Sequence, residues 1–349
     1  MKLNLIFAIL VAILFTTCKI PINKEYRVQF IELKTNTDVS LRGLYVVDEN
    51  IVWASGSEGT VLVSEDGGEN WNLNQIPGAG ENDFRSIHAW DENRAMFFGV
   101  AGPSFGYLTE NGGETWEVVF QDSTQGLFFN SLKFADDKNG LAVSDPIDGK
   151  FFVIRTGNGG EKWERVFDIP NVVDGEANFA ASNTCIEFLP SGKAWIASGG
   201  LAARVFYSDD FGKSWNVSET PIVNGQASAG IFSISFKNDL EGVIAGGTYD
   251  KPELNNNIAA YTSDGGKTWN IAEIMPKEYR SCVQFVSNRK EKFFFAIGKT
   301  GCDISNDKGK NWQFISENGY YTFRAVPEKL EGFVAGGDGK IAKIIFKRI

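Results

Sequence analysis

Four arginines of this 349-residue chain share one kind of setting: Leu-Arg-Gly at Arg42, Phe-Arg-Ser at Arg85, Tyr-Arg-Ser at Arg280 and Phe-Arg-Ala at Arg324. A guanidinium is planar and always charged, and it can grip a carboxylate or phosphate through two parallel hydrogen bonds. Several of them brought together would therefore hold an acidic group. Tyr249 and Tyr279 could add hydroxyls and rings to such a site, and Asn130, Ser144, Asp145 and Glu176 could add polar and acidic groups from neighbouring segments. These residues form the expected ligand-binding set. The competing expectation is internal pairing of the arginines with Asp83, Asp145, Glu176 or Asp250, because gathered like charges are costly when unpaired.

Other chemistries find less support. His88 is the single histidine, placed in an alternating strand pattern, so a histidine-rich metal site is excluded and a Ser-His-Asp triad would have to use this one residue. Cys18, Cys185, Cys282 and Cys302 show no CxxC spacing, which leaves neither a zinc site nor a haem attachment, and no glycine-rich dinucleotide loop lies between a strand and a helix. No cofactor and no metal are expected. The formal net charge of -10 argues against nucleic acid as a partner, since phosphate binding needs clustered cations. Any basic site must be local.

The elements that would position the arginines follow from a repeat. The spacing Ser/Thr-x-Asp/Asn-x-Gly-x-x-Trp occurs six times, centred on Asp66, Asn111, Asn158, Asp210, Asp264 and Asp307, at intervals of 43 to 54 residues. The carboxylate or amide can accept hydrogen bonds from its own turn, Gly can take a positive φ, and Trp can enter the core as the next strand starts. Because these groups recur at every hairpin tip, they read as turn staples rather than as acids or metal ligands. Around each box, period-2 alternation gives four strands, as in 43–47, 52–55, 60–64 and 71–75, and the others span 83–119, 128–167, 183–217, 230–271 and 279–315. Radially repeated four-stranded units are propeller blades.

The tail gives three further strands, 323–326, 332–335 and 340–346, and then the chain stops without a box. Residues 26–33 form an alternating strand with no blade of its own, and a ring must close without free edges. The expected fold is thus an all-β seven-bladed propeller over 26–349, its last blade closed by the N-terminal strand. Cys282 and Cys302 then fall on strands separated by a third, about 9 to 10 Å apart and too far for a disulfide. The boxes lie on one face, and the longer connections 99–106, 144–150, 170–182 and 247–257 lie on the other. Loops at one end of a rigid scaffold are where binding usually sits, unless they only plug the channel. The four arginines, at the start of the axis-lining strands, are expected to form a partial ring at one height.

Residues 1–18 read as a lipoprotein-type signal peptide, with Lys2, an apolar stretch too short to span a bilayer, and Phe-Thr-Thr before Cys18 as the acylated residue. Residues 19–25 would be a short tether. The expectation is an exported monomer, periplasmic or on the outer membrane of a bacterium, held by a lipid anchor.

The blade signature Leu41-Arg42-Gly43-Leu44, Val52-Trp53-Ala54-Ser55-Gly56-Ser57 and Glu58-Gly59-Thr60-Val61, followed by the box from Ser64 to Trp71, resembles the photosystem II assembly-factor-like propellers with BNR/Asp-box repeats. The likeness covers the whole mature chain. It implies a seven-bladed propeller that acts as a non-catalytic binding or assembly factor, with an Arg-rich patch, for an envelope protein or an acidic glycan. Non-photosynthetic bacteria carry relatives, some labelled oxidoreductase. Sialidases are the sharpest rival: they share the boxes, bind a carboxylate with three arginines and use a Tyr-Glu nucleophile pair and an Asp acid. Tyr279, Glu176 and Asp145 would take those roles here, but no Arg-Ile-Pro segment lies near the first strand.

Overall fold

Each repeated box folds into the same small network. The Ser or Thr hydroxyl accepts the amide N–H of the box Gly at 2.8 to 3.1 Å and donates to the Asp or Asn Oδ1 at 2.8 to 3.1 Å. That Oδ1 in turn accepts the backbone N–H four residues on, as from Asn70 and Thr268. The Asn70 amide, followed by its side chain, holds the Asp66 carboxyl below its ordinary value. Gly68 has φ +91° and Gly113 +90°, a region open to Gly at no steric cost. The indoles of Trp71, Trp215 and Trp269 donate back to the carbonyls of Gly68, Gly212 and Gly266.

The computed structural model describes residues 25–100 and 102–349, and all regular elements in them are strands. They form seven antiparallel units, each with strands a to d from the axis outwards. Blade 1 is Leu41–Val46, Val52–Gly56, Thr60–Ser64 and Asn72–Gln75; blade 2 is Phe84–Ala89, Arg94–Gly99, Ser104–Glu110 and Glu117–Asp122; blade 3 is Phe129–Phe134, Gly140–Ile147, Lys150–Thr156 and Glu164–Val166. Blade 4 is Ile186–Phe188, Ala194–Ala197, Arg204–Ser208 and Asn216–Glu219; blade 5 is Ala229–Phe236, Gly242–Thr248, Ala259–Thr262 and Asn270–Ile271. Blade 6 is Cys282–Ser287, Lys292–Gly298, Gly301–Ser305 and Gln313–Ser316.

Blade 7 takes strands a to c from Thr322–Ala325, Glu331–Ala335 and Ile341–Arg348, and strand d is Tyr26–Leu33, paired antiparallel from Tyr26↔Arg348 to Leu33↔Ile341. The Tyr26 hydroxyl donates to Glu291 of blade 6 at 2.7 Å, tying the closing strand to its neighbour. Apolar faces of adjacent blades supply the core. One such layer puts Phe295, Phe323 and Phe346 against Val286 and Ile304. Strand b places Ile297 between Cys282 and Cys302, and Cys185, Cys282 and Cys302 are free and buried.

Two connections differ from the sequence reading. Residues 144–150 are mostly hairpin rather than loop, since strands b and c of blade 3 run to Ile147 and restart at Lys150. The stretch 170–182 does more than bridge blades 3 and 4. Its Glu176–Ala177 pairs with Gly199–Gly200, and the chain then enters the channel, where Ser182 and Asn183 are buried among the innermost strands.

Two outcomes follow for stability. Trp269→Ala, which empties a buried site in the core between blades 4 and 5, should cost roughly 3 to 5 kcal/mol, and Asp264→Ala, on an exposed turn, about 1 kcal/mol, in chemical denaturation. Deleting residues 1–23 should leave cooperative melting intact, whereas deleting 1–35 should lower the melting temperature and cause aggregation through the bared edge of Ile341–Arg348. Equal melting of the two truncations would contradict the closure.

Candidate functional site

Strand a decides which side chains reach the axis. In blades 1, 2, 3 and 5 it carries a bulge at the same place, between Leu41 and Gly43, Phe84 and Ser86, Phe129 and Ser131, and Ile231 and Ser233. A bulge leaves one residue unpaired and re-aims its side chain. The bulged residues are Arg42, Arg85, Asn130 and Phe232.

Arg42 and Arg85 do come together, at the mouth away from the boxes. They line a cavity of about 220 Å³ with Lys299, Tyr249, Tyr279, Phe179 and Phe232. One wall is cationic. Arg85 Nε donates to Asp83 at 2.7 Å and Nη1 to the Ala180 carbonyl at 3.4 Å, so one of the expected internal pairs is present. Arg42 and Lys299 make no ion pair among the described residues; both lie over the Tyr321 ring, at 4.3 and 5.3 Å from its centroid. Burial, and then the charge of Arg85, push the Arg42 guanidinium below its ordinary value.

The opposite wall is aromatic. Phe179 stacks on Phe232 with centroids 3.9 Å apart, and Phe232 meets Tyr279 edge-on at 4.8 Å and Tyr249 at 6.2 Å. Tyr249 is 56% exposed. Burial pushes the Tyr279 hydroxyl above its ordinary value, so it stays neutral and acts as donor or acceptor. This mouth can receive an acidic group against Arg42 and Lys299, with a ring or an apolar chain beside it.

The expected ring of four arginines at one height is corrected by the register. Arg280 N donates to Gly246 O and Tyr320 N to Gly298 O, the same bond between blades that Leu41 N makes to Gly336 O. Arg280 therefore occupies the place of Leu41, points between the blades, and is fully buried against Asp303 at 2.6 Å. Tyr321 occupies the place of Arg42. Arg324 lies three residues further along, on the box side of the crossing segment, with Nη2 on the carbonyls of Ser182 and Asn183.

Other members of the expected set serve the scaffold. Glu176 is held by Arg204, Ser198 and the Val173 amide, which staples the long connection to blade 4. Ser144 is buried and accepts the Phe128 amide at 2.7 Å. Asn130 donates to Asp145 at 3.0 Å, and Asp145 also accepts the Asn178 amide at 3.2 Å; burial raises its carboxyl. Tyr279, Glu176 and Asp145 are thus not assembled as a glycosidase would need, and Asp250 makes no ion pair among the described residues. His88 packs against Tyr45, Trp90 and Phe134, and burial drives it to the neutral form. Cys18 lies outside the described residues.

Lys299, Phe232 and Tyr321 were missed as site residues. A spacing could have sorted the arginines: Arg42 and Arg85 precede a strand b Gly, Gly56 and Gly99, by 14 residues, whereas Arg280 precedes Gly298 by 18 and Arg324 precedes Gly336 by 12.

A family model for the BNR/Asp-box repeat matches residues 206–217. The photosystem II assembly lipoprotein Ycf48 of Synechococcus sp. (strain CC9902) is 24% identical over 256 residues, 71% of this chain and 66% of that protein. The chloroplastic photosystem II stability/assembly factor HCF136 of Arabidopsis thaliana is 23% identical, over 71% of this chain and 59% of its own length. The chain therefore spans somewhat less than two thirds of these curated relatives. A solved structure described as YCF48 bound to D1 peptide superposes with a TM-score of 0.62 at 17% identity, covering 90% of this chain and 94% of that one. With its boxes, its seven blades and its N-terminal closing strand, this chain is similar to the photosystem II assembly-factor propellers that carry BNR/Asp-box repeats.

Proposed function

We propose that this chain is a binding propeller that takes an acidic segment of a protein partner into the mouth lined by Arg42, Lys299, Tyr249 and Tyr279. The observation that carries the reading is the pair of cations without an ion pair among the described residues, Arg42 and Lys299, facing an aromatic wall across one cavity. In a chain of net charge -10, cations held unpaired on a strand and a tight turn of the scaffold are suited to an anionic group. The YCF48 propeller solved with a D1 peptide lends support, since a protein of this shape binds a peptide segment. The sialidase-like alternative loses its nucleophile pair, because Glu176 is held by Arg204. A protein is favoured over a glycan by that same peptide-bound relative.

The chain is proposed to act in the bacterial envelope, as a periplasmic or outer-membrane lipoprotein acylated on Cys18. Tyr26 starts the closing strand opposite Arg348, at the end of the blade that carries the boxes. An anchor at Cys18 would join there and leave the Arg42 mouth facing away from the membrane.

Two experiments test this. A photo-crosslinker at position 249 in the full chain, expressed in its own cells, should yield a dominant protein adduct that falls at least tenfold in the double variant Arg42→Gln/Lys299→Gln, the scale of losing charge-assisted contacts. An adduct unchanged in that variant would remove the mouth from consideration. Metabolic labelling with a fatty-acid analogue should tag the native chain and not Cys18→Ser; equal labelling of both would sink the lipoprotein reading.

A further inference from the structure

On the box side of the crossing segment the axis opens into a second cavity of about 150 Å³, lined by Tyr45, Lys133, Glu187, Gln284 and Arg324 together with Asn183 and Thr184 of the segment itself. Tyr45, Lys133, Gln284 and Arg324 occupy equivalent places on strands a of blades 1, 3, 6 and 7, so the cavity is a ring position and not a surface cleft.

Its charge does not close. Arg324 is 8% exposed, and its Nη atoms donate to Phe323 O at 2.7 Å, Thr322 Oγ1 at 3.1 Å, Ser182 O at 2.9 Å and Asn183 O at 3.0 Å. Its Nη1 also lies 4.0 Å from the Cys282 Sγ, and none of these acceptors is a carboxylate. Among the described residues no carboxylate forms an ion pair with Arg324, and the one acid in the cavity wall, Glu187, is held by Lys133 at 3.0 Å. His88, at the same ring position in blade 2, is neutral. Lys133 and Arg324 against Glu187 leave one positive charge over. Carbonyl and hydroxyl oxygens satisfy N–H groups, but they do not cancel a charge taken out of water.

Unused donors point the same way. Gln284 Oε1 accepts the Ala325 amide at 3.1 Å, which fixes the side chain and leaves its NH₂ without a partner among the described residues. Arg324 Nε and Tyr45 Oη are likewise without one. The space of about 150 Å³ has room for one carboxylate or phosphate group beside these donors. We infer that this lower cavity is a binding site for a single small oxyanion, a carboxylate or inorganic phosphate, held by Arg324 with Lys133, Gln284 and Tyr45. The site is distinct from the Arg42 mouth, from which residues 180–184 separate it, and it does not depend on the function proposed for that mouth.

Calorimetric titration of the full chain with sodium acetate and with sodium phosphate, in a buffer of bulky organic ions, tests it. A saturable component is expected that persists in Arg42→Gln and is weakened at least tenfold in Arg324→Gln and in Lys133→Gln. Tighter phosphate identifies phosphate as the ligand class, and tighter acetate a carboxylate. Arg324 also holds the crossing segment, so its variant could fail to fold; Lys133, whose side chain is 32% exposed, provides the second arm. No saturable heat with either anion, affinities unchanged in the Lys133 variant, or binding lost only in Arg42→Gln would each overturn the site.

Discussion

Residues 182–184 form the joint on which the channel depends. The Asn183 carbonyl oxygen Oδ1 accepts the Leu132 amide at 2.8 Å and the Ser131 hydroxyl at 3.1 Å, and its Nδ2 donates to Ile87 O at 2.8 Å. Ser182 donates to Ser281 O at 2.7 Å, and its carbonyl accepts from Thr322 and Arg324. Thr184 O accepts the Ile234 amide at 2.9 Å. One short segment thus satisfies groups on strands a of blades 2, 3, 5 and 7 and on the lead-in to strand a of blade 6. Each would otherwise be a buried polar group without a partner, at about 1 to 3 kcal/mol apiece. Asn183 takes φ +56° to do so, a left-handed conformation that Asn tolerates better than most residues. Because the segment divides the axis, Phe179 and Ala180 belong to one mouth and Asn183 and Thr184 to the other.

The same construction explains why blade 4 is irregular. Its strand a is only Ile186–Phe188, because the residues that would extend it are those that cross the channel. The missing edge is partly replaced by Glu176–Ala177 and Gly199–Gly200, which join blade 5 through Gly199↔Gly230. Close approach is possible there because neither glycine has a Cβ; one added at Gly230 would lie 2.3 Å from the Gly199 Cα. The ion pair of Glu176 with Arg204, whose side chains are 0% and 9% exposed, then fixes the long connection that delivers Phe179 to the stack with Phe232.

Blade number, box turns and the closing strand were legible because each rests on a local rule repeated in sequence: alternation, a turn residue with positive φ, an unpaired edge that must be covered. The candidate site was legible only in part, because it depends on register. Leu-Arg-Gly at Arg42 and Tyr-Arg-Ser at Arg280 look alike as tripeptides, yet Arg42 sits on the bulge that aims it at the axis, whereas Arg280 sits one place earlier, where Leu41 does, and points between blades. Period-2 alternation cannot report this, since one inserted residue exchanges the two faces. Lys299 and Phe232 were invisible for a related reason: they reach the mouth from a b-to-c turn and from a bulge in another blade, with no shared pattern to mark them.

The interior arginines show how one side chain is put to different uses. Arg280 with Asp303 and Arg204 with Glu176 are closed pairs, each buried and supported by further hydrogen bonds, so their charge ends within the fold. Arg42 and Arg324 are held otherwise, one by an aromatic face and the other by neutral oxygens. Their strands are locked by ladders on strand b and by packing on adjacent blades, so the backbone positions from which both cations project are fixed. A scaffold that keeps a cation fixed and without a counter-ion has already met much of the ordering cost that an anionic ligand would otherwise impose. The two open cations lie on opposite sides of residues 180–184, which makes the crossing segment the boundary between two electrostatically similar but separately addressed ends of one channel.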